Sequence, residues 1–370
     1  MKKIIMIISI LLMLTILSAC NRSNQNKENI SNNTSPSPGP TTSLSGQKDA
    51  EEEPENVLRI DDYFPLVGDT EYVYTGEGNE FASYYRVTDF LDQEKKRIQT
   101  RSNNGGTETV RVLEIKDGKL SVIEMINECY YRENIMMNAT VDNQAEVLLM
   151  EPLVEGTEWT LPDGRRRLIT STQTNIDTPY GNYKAIEVTT EDEDGVSKDY
   201  YAYQVGLVKS VFTSEDLEVF SSLSKINTNV PYTQTIDIYY PNVDENIYVE
   251  QLELAFHTGD DTKAVLQEAL SKKANNDTNL AIASINTKIN SLYLGDDNIV
   301  YVDFSPELIS DMNVGAGYEA LILQCIVNTL GQYYGVQDVS ITVEGKKYES
   351  GHILMKEGET LRVNMDKVIR

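Results

Sequence analysis

The side chains that most often do nucleophilic, acid–base or metal chemistry are scarce in this sequence. Its 370 residues include three cysteines, Cys20, Cys129 and Cys325, and two histidines, His257 and His352. Most general-base and transition-metal sites use histidine, and these two are far apart in the chain. The hydrolase motifs G-x-S-x-G and H-E-x-x-H are absent. The sequence therefore predicts a non-catalytic protein with no metal and no other cofactor, although a converging pair among its many carboxylates stays open.

The cysteines do not suggest a disulfide framework, because three is an odd number and the spacings are long. Cys325 falls on the apolar face of a predicted helix, where a small core residue is the expected role. Cys129 lies in a strand-like run beside Tyr130 and Tyr131, and packing is expected there too. Only Cys20 stands in a context that points to chemistry.

Cys20 follows a short export signal. Lys2 and Lys3 precede an uncharged apolar run, residues 4–17, which is too short for a typical membrane span. The run ends in Leu17-Ser18-Ala19-Cys20, which resembles the bacterial lipobox. That resemblance implies cleavage of the signal peptide, residues 1–19, and a diacylglyceryl group on the Cys20 sulfur. Ordinary secretory cleavage after Ala19 is the alternative.

The segment that follows, residues 20–56, is predicted to be a disordered linker behind the lipidated cysteine. It is rich in Asn, Ser, Thr and Pro and ends in an acidic run. The chain has 32 Lys+Arg against 58 Asp+Glu, a net charge of −26. This charge repels nucleic acid and anionic lipid, so membrane attachment has to come from the acyl anchor. We therefore expect a lipid-anchored protein on the extracytoplasmic face of the cell membrane.

Residues 57–225 are predicted to form a mainly antiparallel β domain, an extended curved sheet or open barrel. Three Asp-Gly pairs separate strand-like runs and favour tight hairpins: Asp117-Gly118, Asp163-Gly164 and Asp194-Gly195. Pieces such as 64–68, 152–159 and 178–183 resemble a domain of uncharacterised bacterial lipoproteins. Trp159 and the tyrosines are expected in the core, with the walls of a ligand groove as the alternative. Residues 165–167, three arginines, are read as a solvated strand start and alternatively as an anion site.

Residues 230–370 change to a mixed α/β pattern, so the fold class is multidomain α+β. Strands are predicted at 235–240, 251–256 and 299–304, with a helix starting after Asp260-Asp261. A second helix, 317–334, has an apolar face at helical spacing and ends at Gly335. Leu323 and Val327 widen that face, so the other side of the helix is predicted to meet a partner. The predicted interaction residues are Tyr318, Glu319, Leu323, Gln324 and Val327.

The order of these elements resembles the GerMN domain, which is named for a sporulation and germination lipoprotein. The resemblance covers about residues 235–345 and depends on Val300–Ser305, the 317–330 helix and Val339–Gly345. It implies a non-catalytic assembly domain acting in sporulation or spore germination. The expected partners are other envelope or spore-assembly proteins, with a homo-oligomer as a further option. The alternative function is an extracytoplasmic lipoprotein that holds a lipid or cell-wall fragment in its β domain.

Overall fold

Strands fill most of the chain between residues 70 and 228. The computed structural model describes residues 57–140, 144–275 and 277–369. A short helix, α1 (Ile60–Tyr63), precedes the strands. The strands are β1 (Thr70–Glu77), β2 (Tyr84–Asp92), β3 (Arg97–Asn103), β4 (Glu108–Lys116), β5 (Lys119–Asn127), β6 (Glu146–Met150), β7 (Glu158–Thr160), β8 (Arg166–Asp177), β9 (Asn182–Asp192), β10 (Gly195–Ala202), β11 (Gly206–Thr213) and β12 (Glu218–Thr228).

These twelve strands form a single antiparallel sheet made of two meanders, β1 to β6 and β7 to β12. The meanders join where β1 pairs with β12, from Thr70 opposite Thr228 to Glu77 opposite Phe220. The two ends of the sheet, β6 and β7, meet through side chains. The indole N–H of Trp159 donates to the carbonyl of Val147 at 3.0 Å. The sheet therefore curves until it nearly closes, and one of its faces is concave.

Two of the three Asp-Gly pairs serve the hairpins predicted for them. Asp117 and Gly118 both have positive φ, 51° and 68°, and join β4 to β5 in two residues. Gly164 has a φ of 90° between β7 and β8. Gly195 differs, because it is the first residue of β10 and is not in the left-handed region. A Cβ at Gly195 would lie 2.5 Å from the carbonyl oxygen of Thr213, so this glycine permits close strand approach.

Residues 232–369 form the α/β part of the protein. Its elements are β13 (Tyr232–Pro241), β14 (Ile247–Phe256), α2 (Thr262–Ser271), β15 (Ile289–Leu294), β16 (Ile299–Phe304), α3 (Glu307–Ser310), α4 (Ala316–Tyr334), β17 (Asp338–Val343), β18 (Lys346–Lys347), β19 (Leu361–Arg362) and β20 (Val368–Ile369). The predicted long helix agrees with α4, and Gly335 caps it with a left-handed φ of 71°. Strand β16 matches its predicted bounds, 299–304.

Two small sheets enclose α4. Strands β15, β16, β17 and β18 form one, with β16 and β17 parallel, and β13, β14 and β20 form the other. At the end of the chain, β19 pairs with β17, whereas β20 pairs in parallel with β14. The C-terminal segment therefore crosses α4 and adds a strand to each sheet.

A buried charge cluster fixes the α/β part against the twelve-stranded sheet. Arg101 of β3 is 1 % exposed. Its guanidinium lies 3.1 Å from the carboxylate of Asp89 on β2 and 2.9 Å from that of Glu108 on β4. It also donates to the carbonyls of Cys129 and Tyr131, in the loop after β5. Arg101 thereby shapes the loop that faces the second part of the protein.

Arg132, in the same loop, makes the connection between the two parts. It is also 1 % exposed, and its Nη1 donates to the carbonyl of Asp260 at 2.6 Å. Its Nη2 donates to the carbonyls of Asp89 and His257. Its backbone N–H donates to the hydroxyl of Tyr333 on α4. The side chain and the backbone N–H of Arg132 therefore bind β2, the turn before α2, and the last turn of α4.

The described residues between 57 and 369 form one compact unit. The core around α4 takes in Val87 of β2, and Tyr131 of the loop packs against it. The described chain is mainly β, so the expected α+β multidomain fold is confirmed in part. The predicted boundary at residue 225 falls inside β12, and the division into separate domains stays a prediction.

We expect Asp89→Asn to destabilise the whole unit. The change keeps the shape of the side chain but leaves Arg101 and Arg132 with less compensating charge in a buried site, which costs about 3–5 kcal/mol. Chemical denaturation followed by circular dichroism measures the loss. The control is Asp163→Asn, at an exposed turn, which should leave the denaturation midpoint unchanged. Equal midpoints for the two variants would show that the cluster does not hold the parts together.

Candidate functional sites

The side of α4 predicted to meet a partner is covered by this chain itself. Glu319, Leu323 and Val327 are 3 %, 3 % and 0 % exposed. Tyr318 is half-buried and donates its hydroxyl to the carbonyl of Asn242. This side of the helix therefore faces other elements of the same chain and is not open to solvent. The physical reason is that α4 is apolar nearly all round, a pattern typical of a buried helix.

Gln324 shows what covers this side. Its amide donates to the carbonyl of Arg362 in β19 at 2.9 Å and to Asn328 at 2.8 Å. Asn328, which is fully buried, donates to the carbonyl of Asn364. The crossing C-terminal segment is thus held on α4 by polar side chains, and a partner role for these helix residues stays a prediction.

The start of α4 has no features of a phosphate site. Gly315 is its N-cap and makes no side-chain capping bond. Glu319 lies in the first turn and accepts hydrogen bonds from the hydroxyls of Tyr348 and Ser350. A buried carboxylate at this position would repel an anion, so the glycines here provide a helix entry.

The face of the β15–β18 sheet that points away from α4 is more accessible. Alternate residues Val300, Val302 and Ile341 face the core and are buried. We call the opposite side, whose residues are exposed or half-buried, the outer sheet face; it comprises Ser291, Tyr293, Tyr301, Asp303, Ser340 and Thr342. Tyr293 is 46 % exposed and stacks on Tyr301 at 5.3 Å. Parallel strand pairs such as β16–β17 are usually covered on both faces, so the accessibility of this face is unusual.

Asp303 holds the strands of the outer sheet face in place. Its carboxylate accepts hydrogen bonds from the Thr342 hydroxyl at 2.6 Å, the Gly345 amide at 2.7 Å and the Asn290 side chain at 2.8 Å. Burial alone would raise the pKa of Asp303, but these hydrogen bonds lower it below its usual value. The conspicuous aspartate of the Val300–Ser305 motif therefore has a structural role: it ties β16 to β15 and β17.

The concave face of the twelve-stranded sheet holds a cavity of about 390 Å³. Tyr84 and Tyr201 line it, as the ligand-groove alternative expects. Trp159 does not: it is 7 % exposed and belongs to the neighbouring core. The residues that sequence reasoning missed are Arg86 and Arg111, single cations within otherwise strand-like runs.

The run of three arginines at 165–167 is paired with acids. Arg165 contacts Asp163 and Asp192, and Arg166 contacts Glu158 and Glu191. Arg167 is buried and lies 2.9 Å from Glu146 of β6, so it helps to hold the ends of the sheet together. The anion-site alternative for this run is therefore not supported.

Neither histidine lines the cavity of the twelve-stranded sheet. His257 is exposed, with its Nδ1 3.3 Å from Asp69. His352 lies in an exposed turn after Ser350. Among the residues that the structure describes, no three His, Cys, Asp or Glu side chains come together as a metal site. None of the described helices is both long and apolar enough to cross a membrane. Cys20 lies outside the described residues.

Comparisons with known proteins show which family the α/β part resembles. Residues 237–349 match the family described as "Germane: Sporulation and spore germination". The predicted resemblance to the GerMN domain is thus confirmed for these residues. The match spans less than half of the chain. A search of curated proteins finds no match.

Three solved structures illustrate the likeness. The first GerMN domain of the sporulation protein GerM from Bacillus subtilis has 17 % identity and a TM-score of 0.25, covering 31 % of this chain and 86 % of that one. The tandem GerMN domains of the same protein have 17 % identity and a TM-score of 0.28, covering 34 % and 46 %. A putative lipoprotein from Clostridium perfringens has 20 % identity and a TM-score of 0.23, covering 36 % and 88 %. The family assignment depends on the Germane match and not on these structures.

We expect both described cysteines to be inert in the folded protein. Cys129 and Cys325 are 4 % and 0 % exposed, and burial raises the pKa of each thiol above its usual value. Little thiolate is therefore available to a reagent. In a Cys20→Ala chain, a thiol-specific dye should label neither cysteine until guanidinium chloride unfolds the protein. Rapid labelling of the native chain would contradict the buried positions of both residues.

Proposed function

We propose that this protein is a non-catalytic envelope lipoprotein that acts in sporulation or spore germination through its Germane domain. The observation that carries the proposal is the Germane match at residues 237–349. The domain acts in protein–protein assembly outside the membrane. Cys20 anchors the chain through a diacylglyceryl group, and residues 21–56 are the linker to the folded unit.

The partner surface that the geometry supports best is the outer sheet face. It carries two stacked tyrosines, and tyrosine is enriched in protein interfaces because it buries much area at low entropic cost. Its first strand, β15, is the edge of its sheet. Helix α4 supports this face from behind. The proposed partners are other envelope or spore-assembly proteins, and self-association is a separate outcome of the test.

The lipid anchor is tested by removing the sulfur atom of Cys20. Cys20→Ala removes the acceptor of the diacylglyceryl group, so the protein should move from the membrane fraction to the soluble extracytoplasmic fraction. Fractionation and immunoblotting measure the shift. A Cys129→Ala chain is the matched control and should stay in the membrane fraction. If Cys20→Ala stayed with the membrane, the lipobox interpretation would be wrong.

The surface is tested by a charge placed on the outer sheet face. Tyr293→Arg should abolish partner capture without unfolding, because Tyr293 is 46 % exposed. The matched control is Tyr180→Arg, at a residue 47 % exposed in the turn between β8 and β9. Crosslinking and mass spectrometry in sporulating cells identify heterologous partners, and sedimentation velocity detects self-association.

The two measurements separate the outcomes. Loss of crosslinks to another protein in Tyr293→Arg alone supports a heterologous partner at this face. Loss of a self-associated species in Tyr293→Arg alone supports a homo-oligomer. Crosslinks and sedimentation identical to those of the unmodified chain would refute the outer sheet face as the assembly surface.

A further inference from the structure

The concave face of the twelve-stranded sheet has the size and lining of a small-molecule site. Its cavity of about 390 Å³ lies within the range typical of ligand pockets. Strands β3 and β4 and the turn between them contribute a strip of hydroxyl and amide side chains: Thr100, Ser102, Asn104, Thr107 and Thr109. Phe64 and Phe81 form apolar parts of the wall. Phe81 is 49 % exposed, so the site opens to solvent beside an aromatic ring.

Two arginines line this cavity and form no ion pair with a described residue. Arg86 of β2 lies over the ring of Tyr72 at 4.5 Å, which fixes its guanidinium by a cation–π contact. Arg111 of β4 is exposed within the cavity lining. Neither makes an ion pair with a described carboxylate, whereas Arg101 and Arg167 both do. Unpaired cations on a concave wall are unusual in a chain whose net charge is −26.

The two acids of the cavity do not cancel these cations. Glu146 pairs with Arg167 at 2.9 Å. Asp199 accepts a hydrogen bond from the Ser210 hydroxyl. Burial raises the pKa of Asp199 even though Ser210, Arg167 and Arg111 act to lower it. With Asp199 ionised, three arginines oppose two carboxylates, so the cavity keeps one net positive charge.

The strand register places the arginines on the two strands that flank β3. Arg86 is opposite Ser102 of β3, and Thr100 of β3 is opposite Arg111 of β4. Adjacent strands are about 4.8 Å apart, and Thr100 and Ser102 are about 7 Å apart along β3, so the Cα atoms of the two arginines stand roughly 12 Å apart. Both long side chains can therefore reach a group lying over Thr100 and Ser102. Guanidinium groups bind phosphate and carboxylate with two parallel hydrogen bonds.

We propose that the concave face binds a small hydroxylated anion, a sugar that carries a phosphate or carboxylate group. Arg86 and Arg111 hold the anionic group, and the hydroxyl strip of β3 and β4 binds the sugar hydroxyls. This site is separate from the Germane domain and does not depend on the assembly function. Within the ligand-binding alternative, the cavity fits a charged sugar better than a lipid. Charged and hydroxyl side chains line it, whereas a lipid tail would need apolar walls.

Isothermal titration calorimetry on the full-length chain tests the proposal. The probes are glucose 6-phosphate, glucuronate and inorganic phosphate, with uncharged glucose as the control ligand. The charged sugars should bind saturably and more weakly as salt is added, and glucose should give no binding heat. Absence of saturable binding for all three anions up to about 10 mM would overturn the proposal. Equal binding of glucose and glucose 6-phosphate would also overturn it.

Variants of Arg111 locate the site. Arg111 is exposed and forms no ion pair with a described residue, so its replacement should leave the fold intact, as thermal unfolding can verify. Arg111→Gln should weaken binding of glucose 6-phosphate by about tenfold or more, and Arg111→Lys should retain part of it. Arg165→Gln, at a turn outside the cavity, should bind as the unmodified chain does. Unchanged affinity in Arg111→Gln would place the anion elsewhere and refute the site.

Discussion

The buried cluster of Arg101, Arg132, Asp89 and Glu108 is the constraint on which the rest of the structure depends. Taking four charges out of water is costly, and the loss is offset only if each charge is paired and hydrogen-bonded. Here two acids balance two arginines, and backbone carbonyls accept most of the remaining guanidinium N–H groups. Those carbonyls belong to the sheet, to the loop after β5 and to the turn before α2. The pairing requirement therefore sets the relative position of the sheet and the α/β part within one unit.

Sequence reasoning succeeded where the deciding contacts are local. The hairpin at Asp117-Gly118 follows from two adjacent positive φ angles, and Gly335 ends α4 because glycine adopts the left-handed conformation easily. It failed where contacts are distant in sequence. The pairing of β1 with β12 joins residues about 150 positions apart, and no local pattern marks it. The course of the C-terminal segment over α4 is non-local in the same way.

The candidate sites, too, differ in whether a local sequence signal could reveal them. Apolar residues on nearly all sides of α4 were a signal of burial that the interpretation as an interaction helix did not use. The cavity gave a weaker signal, because its lining comes from six strands that are spread over the first 210 residues of the chain. The one local signal was in β4, where Thr109, Arg111 and Leu113 alternate along the strand. This spacing indicates that a cation shares one face with polar and apolar residues. Recognising the site required the register of β2, β3 and β4.

The crossing of α4 by the C-terminal segment has a consequence for folding. Strand β19 joins one sheet and β20 the other, so neither sheet around α4 is complete until residues 361–369 are in place. The twelve-stranded sheet can form its hairpins without this segment, from contacts between neighbouring strands. The two parts therefore differ in the range of the contacts that complete them: most strands of the large sheet pair with their neighbours in the chain, whereas β20 must pair with β14, more than 100 residues back along the chain.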